Sequence, residues 1–185
     1  MKAGYIQLLS SAGLSGAALL IPNMLRDELG ANTMEIGLIT ASFNLALFLS
    51  SYIFGRASDV HGRKLYLQGG LALTAIALFL LIFANSKETI AVVRVMIGLC
   101  AGIYPSALLT YVYESEGKIG KFTAYGSLGF GIGTFIAGML TIYYEIFLAS
   151  GIMLLVAYLI STRMIFVGEK VHQVPLFPAK MIRHN

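Results

Sequence analysis

Residues 55–64 read Gly55-Arg56-Ala57-Ser58-Asp59-Val60-His61-Gly62-Arg63-Lys64, one carboxylate among Arg56, Arg63 and Lys64 with a glycine on either side. Such a carboxylate can pair with those cations or sit at the positive N-terminus of a neighbouring helix. Gly55 and Gly62 permit close approach and sharp turning of the backbone. Glu114, followed by Lys118 and Lys121, either joins the Asp59 network or is a solvated loop acid. Arg94 is a charge inside an apolar run. It either snorkels to the nearer interface or faces a central cavity, where it favours an anionic substrate or a carboxylate partner. Gln7 and Asn44 carry amides that are costly to present to lipid, so each makes a helix–helix hydrogen bond or a substrate contact. Gln7, Ser11 and Ser15 recur at i, i+4 and i+8, and Thr40, Asn44 and Ser51 share a face of their own segment. The hydroxyls among them can be satisfied by carbonyls of their own helix.

The elements that must hold these residues are dictated by composition. Of 185 residues, 57% are hydrophobic and 12% charged, against roughly 25% charged in ordinary soluble domains. A single domain of this size has too little polar surface to shield so much apolar area, which excludes a soluble enzyme, a nucleic-acid binder and a disordered chain. The single cysteine, Cys100, excludes an intrachain disulfide framework and a multi-cysteine metal site, and no metal or cofactor is expected. His61, His172 and His184 fall in a connection or the tail, and no Asp or Glu lies deep in an apolar run, so the chain offers no intramembrane proton carrier.

A membrane-crossing helix takes about 20 apolar residues. Segments 5–25, 36–54, 66–84, 90–113, 122–143 and 146–167 satisfy this, leaving 168–185 as a tail. The expected architecture is an all-α membrane protein, a six-helix bundle over 5–167 with short loops and antiparallel neighbours. Continuous apolar runs exclude a transmembrane barrel. Placing the N-terminus inside puts Lys2, Arg56, Arg63, Lys64, Lys118, Lys121, Arg163, Lys170, Lys180 and Arg183 on the inner side and only Arg26 and Lys87 outside. By the Lys/Arg bias both termini are therefore cytoplasmic. The first segment is long for a signal peptide and its charged lead is Lys2 alone, so it is read as a span.

The 55–64 segment, G-x-x-x-D-x-x-G-R-K between the second and third spans, resembles the most recognisable motif of the major facilitator superfamily of secondary transporters. Val60 stands where that family usually has a basic residue. Arg94-Val95-Met96-Ile97-Gly98, with Gly102 and Pro105 beyond, resembles the family's fourth-helix Arg-x-x-x-Gly pattern, with Ile97 replacing a frequent Gln. The run Gly129-Phe130-Gly131-Ile132-Gly133-Thr134-Phe135-Ile136-Ala137-Gly138 is similar to the glycine-rich fifth-helix motif of the family's antiporters, but Thr134 and Ala137 depart from it. Gly98, Gly102, Gly129, Gly133 and Gly138 are read as helix-packing glycines. The resemblance implies the N-terminal half of a two-bundle carrier, built as a three-plus-three inverted repeat. It implies that Gly55, Asp59, Gly62, Arg63 and Lys64 belong to an inner-gate latch. The repeat's trace is faint, Gly13-Leu14-Ser15 with Pro22 echoing Gly98-Leu99-Cys100 with Pro105.

The implied function is half of a secondary active or facilitative transporter moving a small solute by alternating access. Its expected partners are the lipid bilayer, a small-molecule substrate and a second six-helix half, either a separate chain or another copy. A non-transporting scaffold or regulatory half, or a truncated remnant, is the alternative. Gly13-Leu14-Ser15-Gly16 resembles the G-x-S-G of six-span rhomboid proteases, but no span carries the histidine that chemistry needs, so an enzyme is not expected.

Overall fold

The structure, a computed structural model, describes residues 2–115, 117–140 and 142–164. The end of the sixth expected span, 165–167, and the expected tail, 168–185, lie outside the described residues.

The described chain is helical, with no strand. It runs α1 (Lys2–Asp27), α2 (Thr33–His61), α3 (Arg63–Leu80), α4 (Lys87–Ala101), α5 (Tyr104–Ser115), α6 (Ile119–Met139) and α7 (Tyr143–Thr162), with a 3-10 turn at Leu81–Phe83 extending α3. Two starts are sealed by reciprocal caps. The Asn32 side chain accepts from the Glu35 amide while Glu35 accepts from the Asn32 amide, and Ser86 and Thr89 do the same for α4. Such boxes satisfy amides that a helix start would otherwise leave unpaired. Lys87 Nζ then reaches Glu35 Oε2 at 3.0 Å and the Gly30 carbonyl at 3.3 Å, tying the starts of α2 and α4 together. At the opposite end of the bundle, Lys2 Nζ donates to the Arg163 carbonyl at 2.7 Å, closing the end of α7 against the start of α1.

Two details of the elements differ from expectation, although the span expected at 90–113 is itself present as a candidate crossing over Lys87–Ser115. The span expected at 90–113 is two stacked helices, α4 and α5, parted by a turn at Gly102 and Ile103. Pro105 lies in the first turn of α5, where its missing N–H and fixed φ are tolerated, whereas inside a continuous helix they would break the ladder. The connection expected at 55–64 is mostly helix, since α2 runs on to His61. Nothing before Gly62 breaks it, and Ser58 Oγ bonds back to the Gly55 carbonyl at 2.8 Å. The chain turns at Gly62 alone, with φ +96°, a conformation open to glycine and costly for other residues.

Among the described residues, five helical stretches are long and apolar enough to cross a membrane: α1, α2, α3 with its 3-10 turn, α4 with α5, and α7. The expected fifth span corresponds to α6, a 21-residue helix whose many glycines dilute its hydropathy. α1 packs on α6 and α7. α2 packs on α4 and α5, and α3 packs on α7, α4 and α5, while α1 and α2 scarcely touch. The core between them is apolar, with Ile6, Ile21, Leu67, Leu71, Leu78, Ile97, Leu108, Phe147 and Leu154 fully buried. Along α2, by contrast, Met34, Leu38, Leu45, Phe48, Leu49 and Ile53 are exposed. Apolar area on that scale needs lipid or a partner to cover it.

Candidate functional site

Because α1 and α2 stand apart, an open groove of about 660 Å³ runs between α1, α2 and α6. Gln7, Ser11, Leu14, Ser15 and Ala18 of α1 form one wall, Phe43 and Leu47 of α2 another, and Phe122, Thr123, Gly126, Ser127 and Phe130 of α6 the third. Gln7 to Ala18 spans about 16 Å at a rise of ~1.5 Å per residue. The i, i+4, i+8 row on α1 thus faces this groove. Ser15 is partly spent on packing, its hydroxyl lying 3.2 Å from both the Ala12 and Phe130 carbonyls.

Arg94 is not among the groove-lining residues, but it stacks on Phe43, which is. Arg94 is 3% exposed, and its guanidinium carbon sits 4.3 Å from the centre of the Phe43 ring. No carboxylate among the described residues pairs with it, and its Nε has no hydrogen-bond partner there. At about 10 Å from the start of α4 by helix rise, it is held inward rather than extended to the interface. Burying an unpaired cation costs several kcal/mol, and a cation–π contact returns only ~0.5–2 kcal/mol. Gly98, one turn along the same face, explains the geometry. A Cβ there would lie 2.5 Å from the Phe43 carbonyl and 3.1 Å from Ala46 Cβ. The Arg-x-x-x-Gly spacing therefore lets α2 approach α4 at Phe43, which brings the ring over the guanidinium.

Gly102 repeats the device one turn on, a Cβ there meeting the Leu47 carbonyl at 2.7 Å. Between α1 and α6, Gly129 sits against the Leu8 carbonyl and Gly133 against the Ala12 carbonyl, closer than any Cβ would permit. These contacts let helices pack backbone to backbone. Gly138 departs from the expectation of a packing glycine, because a Cβ there would meet nothing within 4 Å.

Asn44 departs too. Its side chain is exposed, is not among the groove-lining residues, and donates to the Thr40 carbonyl of its own helix at 2.9 Å. Gln7 is the expected amide that does line the groove.

At the end of the bundle carrying the α2–α3 turn, Arg63 is mostly buried and bridges two half-exposed acids. It pairs with Glu114 at the end of α5, and its Nε lies 3.9 Å from Asp59 Oδ1. Lys64 is exposed. Arg56 lies over the Tyr52 ring at 4.8 Å. Gly55 faces α5, where a Cβ would sit 3.2 Å from Ser106 Oγ. The motif thus joins α2, α3 and α5 at one end. Among the described residues no group of three or more His, Cys, Asp or Glu is arranged to hold a metal ion.

Sequence reasoning missed Phe43, Phe130 and Gly126. An aromatic or a glycine within an apolar helix carries no signal until its neighbours are known.

The sequence profile of the Major Facilitator Superfamily matches residues 4–180. An uncharacterized MFS-type transporter of Methanocaldococcus jannaschii is 32% identical over 127 residues, covering 65% of this chain and 33% of the relative. The cis,cis-muconate transport protein of Acinetobacter baylyi is 30% identical over 126 residues, covering 68% of this chain and 30% of its own length. A major facilitator superfamily multidrug transporter of Aspergillus fumigatus is 44% identical over 66 residues, 36% of this chain and 11% of the relative. The chain thus aligns with a third or less of each of these relatives. With its apolar helices and a profile match along nearly its whole length, the chain is a multi-pass integral membrane protein and belongs to the Major Facilitator Superfamily of transporters.

Proposed function

We propose that this chain is the N-terminal six-helix half of an alternating-access transporter, with both termini cytoplasmic, and that it takes a small carboxylate in the groove between α1, α2 and α6. Arg94, reached when the Phe43 ring that covers it turns aside, anchors the anion, and Gln7 with the α1 hydroxyls supplies neutral hydrogen bonds. The carrying observation is the buried guanidinium with no counter-charge, separated from the groove by one aromatic ring. The relative from Acinetobacter baylyi, named for transport of a dicarboxylate, supports the same substrate class.

The helix pairing supports an internal three-plus-three repeat. Exchanging the first three spans with the last three turns α1 on α6 into α4–α5 on α2, and α1 on α7 into α4–α5 on α3, while α3 on α7 maps onto itself. The Arg63 bridge to Asp59 and Glu114 supports a latch at the cytoplasmic end, with Glu114 relaying charge to α5. The groove's open side and the apolar face of α2 are where a second six-helix half, or a second copy, completes the cavity.

The test is uptake of radiolabelled cis,cis-muconate and benzoate into vesicles carrying this chain with and without a co-expressed second half. Uptake that needs both halves, is lost with Arg94→Gln and is partly kept with Arg94→Lys supports the reading. Unchanged uptake in both variants removes Arg94 from the site, and binding without flux in every combination favours a scaffold.

A further inference from the structure

We infer that Gly126 and Gln7 are a specificity-determining pair, in which the missing Cβ of Gly126 sets where the Gln7 amide stands in the groove; this rests on the groove being the substrate site. Both residues line it from facing walls. A Cβ built on Gly126 would lie 2.9 Å from Gln7 Nε2, 3.3 Å from Cγ and 3.6 Å from Cδ. The amide therefore lies flat against α6 in the space a side chain would fill. Its own hydrogen bonding is nearly unused. Nε2 reaches Ser11 Oγ only at 3.5 Å, the outer limit of such a bond. No hydrogen bond to Oε1 forms among the described residues. The contrast with Asn44, committed to a carbonyl of its own helix, marks Gln7 as the amide with donor and acceptor to spare. An amide can hydrogen-bond a carboxylate, a carbonyl or a hydroxyl, so the pair reads the polar group of a solute whose charge is held elsewhere.

Any clash at Gly126 falls on the free end of a flexible side chain rather than on backbone. Gly126→Ala thus moves the amide towards the groove and leaves the helices in place. The chain in lipid nanodiscs, carrying isotope-labelled glutamine, gives a readout that needs no substrate. Gly126→Ala is expected to shift the NMR side-chain resonance of Gln7, assigned by its loss in Gln7→Asn, and to leave that of Gln68, which bonds the Ser161 carbonyl, unmoved. In vesicles containing both halves, Gly126→Ala is expected to change muconate uptake by about tenfold, within the range contacting residues show in double-mutant cycles, and to have no effect once Gln7 is Ala. A Gln7 resonance unmoved by Gly126→Ala overturns the inference, and so does an uptake change that persists in full without Gln7. A shifted resonance in a protein that transports neither muconate nor benzoate supports the pair while refuting the carboxylate reading.

Discussion

Gly98→Ala is the substitution whose consequence the structure specifies most fully. The new Cβ would stand 2.5 Å from the Phe43 carbonyl, 3.1 Å from Ala46 Cβ and 3.3 Å from the Leu47 amide nitrogen. Non-bonded heavy atoms prefer ~3.5–4.0 Å, so α2 must withdraw from α4 by roughly 1 Å. The obstructing atoms are largely backbone and cannot rotate away. Overpacking of this kind costs about 1–3 kcal/mol, and the better helix propensity of alanine returns up to ~1 kcal/mol. A net loss of about 1–2 kcal/mol corresponds to a Tm lower by roughly 2–8 °C in a chain of this size. Gly131→Ala is the matched control, because a Cβ there meets nothing within 4 Å, and the propensity term alone should raise Tm by a few degrees. Circular-dichroism melts of both variants in one detergent separate the two signs. A Gly98→Ala protein as stable as Gly131→Ala would refute the close approach of α2 and α4, and with it the account of how Phe43 comes to cover Arg94.

Two further outcomes follow from single positions. Gly62→Ala places a Cβ at φ +96°, which costs on the order of 1–3 kcal/mol, and should lower Tm in the same melts. Arg94→Met removes an uncompensated buried charge while keeping an unbranched side chain; because such a charge is costly to bury, Tm should stay level or rise as carboxylate uptake is lost. A clear fall in Tm would mean that Arg94 has a structural partner.

Much of the architecture was legible because its cause is local. Apolar runs of about 20 residues mark helices wherever lipid is the solvent. The short links do not always make consecutive helices neighbours, contrary to the expectation from their length: α1 barely meets α2, α2 barely meets α3, and α1 packs instead on α6 and α7, because burial of apolar faces rather than loop length selects the partners. The break between α4 and α5 was signalled by Gly102 and Pro105 but hidden by unbroken hydrophobicity around it. The length of α2 was underestimated because the stretch 56–61, with Arg56, Asp59 and His61, looks like a loop, although none of its residues breaks a helix. The site was legible only in part. Arg94 announced itself as a charge in an apolar run, yet the choice between interface and cavity depends on which face of α4 meets α2, and Gly98 decides that through tertiary contact. Asn44 and Gln7 look equivalent in sequence. The shorter side chain folds back onto Thr40, while the longer one lies across Gly126.

The central claim, that Arg94 is the anion anchor of the groove, is tested most directly by equilibrium binding of radiolabelled cis,cis-muconate to the purified protein in nanodiscs. A hydrogen bond to a charged group is worth ~1.5–3 kcal/mol, so Arg94→Gln should weaken saturable binding by about 10- to 150-fold, with Arg94→Lys in between. Saturable binding of equal affinity in the wild-type and Arg94→Gln proteins would contradict the account.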